Sequence, residues 1–383
     1  MAQPDSSSAS HRKALAKRYE AIHNWLFLVD IVYTVILIAL FVFVGKQGGF
    51  SAQLLAWIQS FCANYWIQVA VYSGILTTMY MACLLPLSFY SGYYLEHKYS
   101  LSTQSFGSWL GDKGKSYVLN LVFMVFVAEG LYLFFMLAEK SWWLWVGVLW
   151  VGFGIILSNI APVLIMPLFY KFKPLENDAL KTRLIAMAER LKVTILGVFE
   201  MELSAKTKKA NAALAGLGNT KRILLGDTLL KNFCDEEIEV VLAHELGHFY
   251  YKHIWQLILF GGAITFAGLY LVSLIFDRLA VSSGFAGITD IAAFPVFLLC
   301  MFVFTLISMP INATYTRILE KQADNFALRQ TNAPDHFIST MKKLADLNLA
   351  DEEPHPLIEF LLHDHPSISS RIKAAEAFRV RHA

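Results

Sequence analysis

Charge is what this sequence has least of. Asp, Glu, Lys and Arg together make up 16% of the 383 residues, against 56% for the hydrophobic ones, and mean hydropathy is +0.49. So small a charged fraction does not coat a water-soluble globule, which excludes the ordinary soluble classes. The formal net charge is only +2, and no basic stripe interleaved with aromatics occurs, so a nucleic-acid partner is excluded too. Cysteine is scarce. Cys62, Cys83, Cys234 and Cys300 contain no Cys-x-x-Cys pair, which excludes a disulfide framework and a zinc ribbon. Three of these cysteines lie in apolar runs, and buried thiols are expected. The start, MAQPDSSSASHRKALAKRYEAIHN, is too polar for a cleaved signal sequence. The first apolar run is too long for a signal core and is expected to stay as a span.

What is present in quantity is apolar run. Six stretches reach the ~20 residues that cross a bilayer as a helix. They are Trp25–Gly45, Ile67–Tyr90, Tyr117–Leu137, Trp142–Phe169, Ile254–Phe276 and Ile291–Tyr315, with Trp and Tyr at their ends as in interfacial belts. Ala52–Phe61 is apolar as well, and reads either as an interfacial helix or as part of a seventh crossing. Polar stretches fill the rest. ENDALKTRLIAMAERL has the period of an amphipathic helix, VTILGVFEMELS alternates, and KANAALAGLGNTKRILLG reads as two strands around a Gly-Leu-Gly-Asn turn. The expected architecture is a multi-pass α-helical membrane protein carrying a small α+β domain. Its expected segments are an N-terminal stretch 1–24, a membrane domain 25–169, a first soluble part 170–253, a membrane hairpin 254–316 and a second soluble part 317–383.

Lys and Arg set the orientation. Arg12, Lys13, Lys17 and Arg18 precede the first span, Lys98, Lys113 and Lys115 follow the second, and the stretch after the fourth is rich in both. The other connections hold only Lys46, Lys140 and Arg278. The positive-inside rule then puts both termini and both soluble parts in the cytoplasm, a parity that six crossings satisfy.

The chemistry lies in VVLAHELGHFYYKH. On a helix, His244 and His248 share a face and offer two imidazole nitrogens to one zinc ion. Glu245 is turned about 100° away, beside the metal rather than on it, where it can hold a water. Gly247 keeps the helix surface low. His253, five positions after His248, falls off the ligand face and is expected at the membrane interface. A catalytic zinc needs a third protein ligand and an open position. RILEKQADNFAL, just after the sixth span, offers Glu320 as that ligand and Asp324 as a brace for the spare nitrogen of a ligand histidine. The fifth span leaves the His helix and the sixth returns to the same face, so one membrane hairpin brings the two motifs together.

HELGH, EKQADNFAL and HDHPSISSRIKA resemble the three signature blocks of the type I CAAX prenyl proteases, and likeness extends from about Trp25 to Phe378. YYLEHKYSLSTQSFGSWLGDKGK resembles the family's loop after its second span, and IAPVLIMPLFYKFKPLENDALKTRL its junction into the soluble domain. The HtpX-like proteases share the zinc blocks but lack that long loop. The resemblance implies an integral-membrane zinc endopeptidase of the gluzincin group, with one zinc per chain and spans enclosing an intramembrane chamber. It implies His244, His248 and Glu320 as ligands, Glu245 as general base and Asp324 as the carboxylate that braces a ligand histidine. It places His365 and Arg371 near the metal to stabilise an oxyanion, and Asn211 on the strand that presents backbone to substrate. The family's eukaryotic members have seven spans; this sequence offers six clear ones.

The expected reaction is metal-assisted peptide hydrolysis, with an extended peptide pairing against the edge near Asn211, Ala212 and Ala213. Processing of prenylated C-termini, broader membrane-protein quality control, and a transporter or scaffold with a structural zinc are the competing readings. Asp30 and Glu129, ionisable groups inside spans, suit either an aqueous chamber or a transport pathway. Glu245 favours hydrolysis, since a structural zinc has no use for a carboxylate beside it. The expected partners are a peptide or protein substrate and the lipid bilayer. The expected location is the cytoplasmic membrane of a bacterium or the endoplasmic reticulum of a eukaryote.

Overall fold

The computed structural model describes residues 6–45, 48–216 and 221–382. Lys46 and residues 217–220, which include most of the Gly-Leu-Gly-Asn turn, lie outside the described residues. Among the described residues, six helical segments are long and apolar enough to cross a membrane: His11–Phe43, Tyr65–Lys98, Phe106–Leu137, Trp142–Phe169, His253–Ser282 and Ile291–Thr331. Each contains one of the runs read from the sequence, apart from a residue or two at the end of the first.

The first membrane half comprises α1 (Ser6–Phe43), α2 (Gly49–Gln59), α3 (Tyr65–Phe89) with its last turn α4 (Glu96–Lys98), α5 (Phe106–Leu137), and α6 (Trp142–Ile160) with its last turn α7 (Met166–Phe169). Wide π-helical turns interrupt the second and fourth spans at Tyr90–Leu95 and Ala161–Ile165. Pro86 precedes the first of these and Pro162 lies in the second; proline has no N–H to complete the regular ladder. Side chains such as Leu259, Ile307 and Val122 stay 74%, 68% and 65% exposed, as suits helices whose solvent is lipid.

The Ala52–Phe61 question is settled by length. The helix there, α2, has 11 residues. At 1.5 Å per residue it extends about 16 Å, roughly half a hydrocarbon core. It packs at the far end of the bundle instead. There the Ser51 hydroxyl lies 2.6 Å from the Tyr72 hydroxyl and 2.5 Å from the Ala292 carbonyl. Tyr132 donates to the Asp290 and Ile291 carbonyls at 3.1 and 3.2 Å, which closes that end with buried aromatics and paired backbone.

The soluble unit begins with β1 (Phe172–Pro174), α8 (Asp178–Arg190), β2 (Val198–Met201), β3 (Ala212–Ala215), β4 (Arg222–Gly226), α9 (Asp227–Asn232) and α10 (Asp235–Tyr250). After the hairpin of α11 (His253–Ser282) and α12 (Phe294–Thr331) it resumes with α13 (Pro334–Asn348), α14 (Pro356–Leu362) and α15 (Ile368–His382). Asn177 caps α8 by accepting from the Leu180 N–H at 3.0 Å. The sheet order is β1-β2-β4-β3, with β2 and β4 parallel and the other pairs antiparallel. The expected hairpin is β3 with β4, in register from Ala212 opposite Leu225 to Ala215 opposite Arg222. One apolar core joins both parts of the unit: Leu184, Ile223, Leu246, Phe326, Phe337 and Phe378 all belong to it.

The cysteines depart from expectation. Cys83 and Cys234 are exposed, Cys62 and Cys300 are half-buried, and all four are free. An apolar run inside a span need not be covered by protein, because lipid covers it.

Candidate metal centre

The site begins with two helices at close quarters. Gly247 of α10 faces α12, where a Cβ would lie 3.1 Å from the Ala323 Cα and 3.2 Å from the Phe326 Cβ. Only a glycine lets the backbones approach this far without displacement. The N-terminus of α10 is held from outside: Glu237 accepts from the Cys234 backbone N–H at 2.9 Å, from Ser339 at 2.6 Å and from Lys343 at 2.7 Å. Acidic Asp235, Glu236 and Glu237 in its first turn complement the helix dipole.

Across this contact, His244 Nε2 lies 3.2 Å from Glu320 Oε2, and His248 Nε2 lies 3.2 Å from Glu320 Oε1. The two Nε2 atoms are 3.1 Å apart. Ligand atoms of all three residues fall within 4.8 Å of one another. Glu320 is 5% exposed, and its Oε2 is buried without a hydrogen-bond partner among the described residues. Two imidazole nitrogens and an orphaned buried carboxylate oxygen, all aimed at one point, are a donor set that fits a zinc-type ion.

Behind His244, Asp324 lies 2.9 Å from Nδ1. Arg371 grips Asp324 with Nε at 2.8 Å and Nη2 at 2.5 Å. Burial alone would lower the pKa of His244, but the hydrogen bond to Asp324 and the adjacent Glu320 carboxylate outweigh it and lift the value to about 9. The same negative field that favours a proton on this ring favours a cation beside it. Burial also works against the charge of Arg371, and the Asp324 carboxylate more than offsets it, so its pKa is raised. The family resemblance put Arg371 near an oxyanion; in the structure two of its nitrogens are engaged by Asp324.

Glu245 stands beside the cluster, with Oε2 3.4 Å from the Leu214 N–H of β3. Asn211 and Ala212 border the same cavity of about 470 Å³ as His244, Glu245, His365 and Arg371. β3 is an edge strand, and Ala213 pairs with Leu224 on its inner side. His365 lies at the rim, its side chain 54% exposed and Nε2 3.4 Å from Glu320 Oε2. Asp364, 2.7 Å from His365 Nδ1, raises the His365 pKa by hydrogen bonding; burial opposes this less strongly.

His253 departs from expectation. It is 1% exposed, with Nδ1 3.0 Å from His248 Nδ1 and Nε2 3.1 Å from Gln322 Oε1. The expectation assumed a continuous helix, on which His253 lies about 140° round from His248. Lys252 instead takes a left-handed conformation, φ 57°, which ends α10 and restarts the chain as α11. A non-glycine residue at positive φ leaves no mark in the sequence. Gln322 was likewise missed, because its role depends on where His253 goes.

A family model described as Peptidase family M48 matches residues 174–379. The chain is a member of peptidase family M48. A second model, described as CAAX prenyl protease N-terminal, five membrane helices, matches residues 6–171 of this M48 peptidase. In that stretch the structure has four long apolar segments, and α2 is the short remaining one. The peptidase is 30% identical over 379 residues to the Uncharacterized metalloprotease YhfN of Bacillus subtilis, covering 98% of this chain and 88% of that one. It is 28% identical over 341 residues to CAAX prenyl protease 1 of Saccharomyces cerevisiae, covering 81% and 72% of the two chains. The crystal structure of S. mikatae Ste24p matches the fold with a TM-score of 0.84 at 24% identity, over 96% of this chain and 89% of that one. The chain is a membrane-embedded metalloendopeptidase, and its family implies a metal ion.

Proposed function

We propose that this M48 peptidase cleaves the C-terminal segments of prenylated polypeptides, using one zinc ion held by His244, His248 and Glu320. The observation that carries the reading is the convergence of those three ligand atoms within 4.8 Å, with Glu245 beside them and an edge strand alongside. When bound, zinc supplies Lewis acidity and brings the pKa of water to about 7. Glu245 takes the proton of the attacking water and hands it to the leaving amine. His365, exposed at the rim, donates to the developing oxyanion. The extended peptide pairs with the free edge of β3 near Asn211, Ala212 and Ala213, which satisfies its backbone without reading its side chains.

Two features support a prenylated substrate. The S. cerevisiae relative carries that activity in its name. An apolar cavity of about 340 Å³ also lies between α1, α3, α5 and α12, lined by residues such as Phe41, Met79, Met124 and Phe302. Asp30 and Glu129 border further spaces between spans, where neither carboxyl need face lipid alone. The Lys and Arg distribution supports a domain facing the cytoplasm, with substrate entering between spans.

The test is cleavage of a farnesylated peptide and its unprenylated twin by purified protein, with and without chelator. Chelator-sensitive cleavage of the farnesylated peptide alone is expected. Equal cleavage of both peptides would replace the prenyl reading with broad membrane-protein turnover, and cleavage indifferent to chelator would remove the metal mechanism.

A further inference from the structure

The two histidines of the metal centre are braced differently. His244 leans on a carboxylate, Asp324, which a buried arginine holds. The outer nitrogen of His248 meets no carboxylate; it faces the imidazole of His253, which in turn faces the side-chain oxygen of Gln322. We infer that His253 and Gln322 are positioning residues that set the tautomer and ring orientation of His248. This rests on the reading of His248 as a metal ligand through Nε2.

The protons follow from the geometry. A ligating Nε2 needs its lone pair free, so the His248 proton sits on Nδ1. Nδ1 of His248 lies 3.0 Å from Nδ1 of His253, and one proton serves that contact, so His253 Nδ1 must accept. The His253 proton is then on Nε2, which donates across 3.1 Å to Gln322 Oε1. An oxygen at the end of the chain therefore fixes every hydrogen in it, back to the ligand nitrogen. Both nitrogens of His253 are engaged in this chain, so it is not itself a ligand. Because His253 is 1% exposed and opens α11, the chain also ties the membrane hairpin to the metal centre.

Charge explains why this brace is neutral. Glu245, Glu320 and Asp324 already face the centre, against Arg371 and a divalent ion. A further carboxylate behind His248 would leave the site net negative and weaken the pull on a polarised oxygen. A neutral imidazole and an amide orient the ligand without adding charge.

Gln322 is exposed, so its substitution tests the chain without emptying a core. Gln322→Met keeps the shape and loses the acceptor; Gln322→Glu keeps an acceptor oxygen. The readouts are zinc affinity by chelator competition and the visible absorption of the cobalt-loaded protein, both independent of turnover. Loss of an outer-sphere partner costs about 10–100-fold in metal affinity. A fall of that order is expected for His253→Phe, and a smaller fall for Gln322→Met with a shifted cobalt spectrum. Gln322→Glu should stay within a few-fold of wild type. Should His253→Phe fail to fold, the two Gln322 variants decide. Wild-type affinity and an unchanged spectrum in Gln322→Met, or equal losses in both Gln322 variants, would overturn the inference while leaving the ligand set standing. A wild-type protein that takes up no zinc would overturn both.

Discussion

Gly247 and Ala323 are in backbone contact: a Cβ placed on Gly247 would lie 3.1 Å from the Ala323 Cα. The pair sits within one turn of His248 and Glu320, so the spacing of α10 and α12 is also the spacing of the proposed ligands. Gly247→Ala pits two effects against each other. Helix propensity favours alanine by about 1 kcal/mol. Overpacking costs about 1–3 kcal/mol, at the upper end here because the obstacle is backbone. The expected result is a lower Tm and weaker zinc retention. A variant as stable as wild type with full zinc content would show that another contact sets the helix spacing.

Metal binding and chemistry should separate cleanly. Glu320→Ala removes a proposed ligand and should lose zinc on dialysis. Glu245→Gln leaves the ligand atoms in place and should keep zinc, with activity down by about 10²–10⁴-fold for want of a base. His365→Phe should also keep zinc and slow turnover by about 10²–10³-fold, as for one lost oxyanion donor. Metal analysis alongside peptide cleavage reads all three. An active Glu245→Gln enzyme would end the proposed mechanism, and a His365→Phe rate within a few-fold of wild type would make that residue structural.

Arg371 should behave as a clamp. Removing it leaves the buried Asp324 carboxylate, 4% exposed, with only the His244 ring as a partner, a loss of up to about 3–5 kcal/mol. Arg371→Met should therefore destabilise the soluble unit strongly. Arg371→Met combined with Asp324→Asn should recover part of the loss, since no charge is then stranded. Chemical unfolding measures both. Equal instability of the single and double variants would argue against the ion pair as the cause.

Much of this centre was legible because short-range periodicity carries it. His244 and His248 four apart, and Glu320 and Asp324 four apart, must each share a helix face, and a two-span hairpin must return to the side it left. Length arithmetic would equally have limited Ala52–Phe61, whose helix proved too short to cross. What escaped notice depended on single dihedral angles and long-range partners. Lys252 turns left-handed where its sequence suggests continuation, which carries His253 back over His248. Arg371 could be placed near the metal by resemblance, but its engagement with Asp324 required the docking of α15 on α12.

The head of α1 is tied to the second soluble part by a pH-sensitive contact. His363 Nε2 lies 3.1 Å from Glu20 Oε1, and this hydrogen bond raises the His363 pKa above its ordinary value, with burial opposing it. A raised pKa in the folded state contributes stability that is complete below the unfolded value of about 6.5 and is lost as pH rises through the folded value. The neighbouring ties are the ion pairs of Arg12 with Asp346 and of Lys13 with Glu352. Hydrogen exchange in residues 351–367 should therefore quicken as pH rises past that range, after correction for the intrinsic rate. Glu20→Gln should abolish the dependence. A pH-independent corrected rate in wild type would exclude this latch.

Orientation has a direct chemical test. α11 leaves the soluble unit at His253 and α12 returns to it at Glu320, so the bend between them, at Ser283, belongs at the opposite face. With α2 too short to cross, six spans remain among the described residues, and six crossings put both soluble parts on one side. The Lys and Arg density predicts that this side faces the cytoplasm. Single cysteines at Ser283 and at exposed Glu176 report the two faces, in a background lacking the four native thiols, of which Cys234 is exposed on the soluble unit and would label. In sealed vesicles of known sidedness, a membrane-impermeant maleimide should reach position 283 only from outside the cell and position 176 only from the cytoplasmic side. Labelling of both from one side would break the hairpin that joins His244 and His248 to Glu320, since those helices could then not meet through a single membrane excursion. Opposite labelling with the faces reversed would keep the metal centre intact but move it outside the cytoplasm, away from the cytosolic prenylated chains proposed as its substrate.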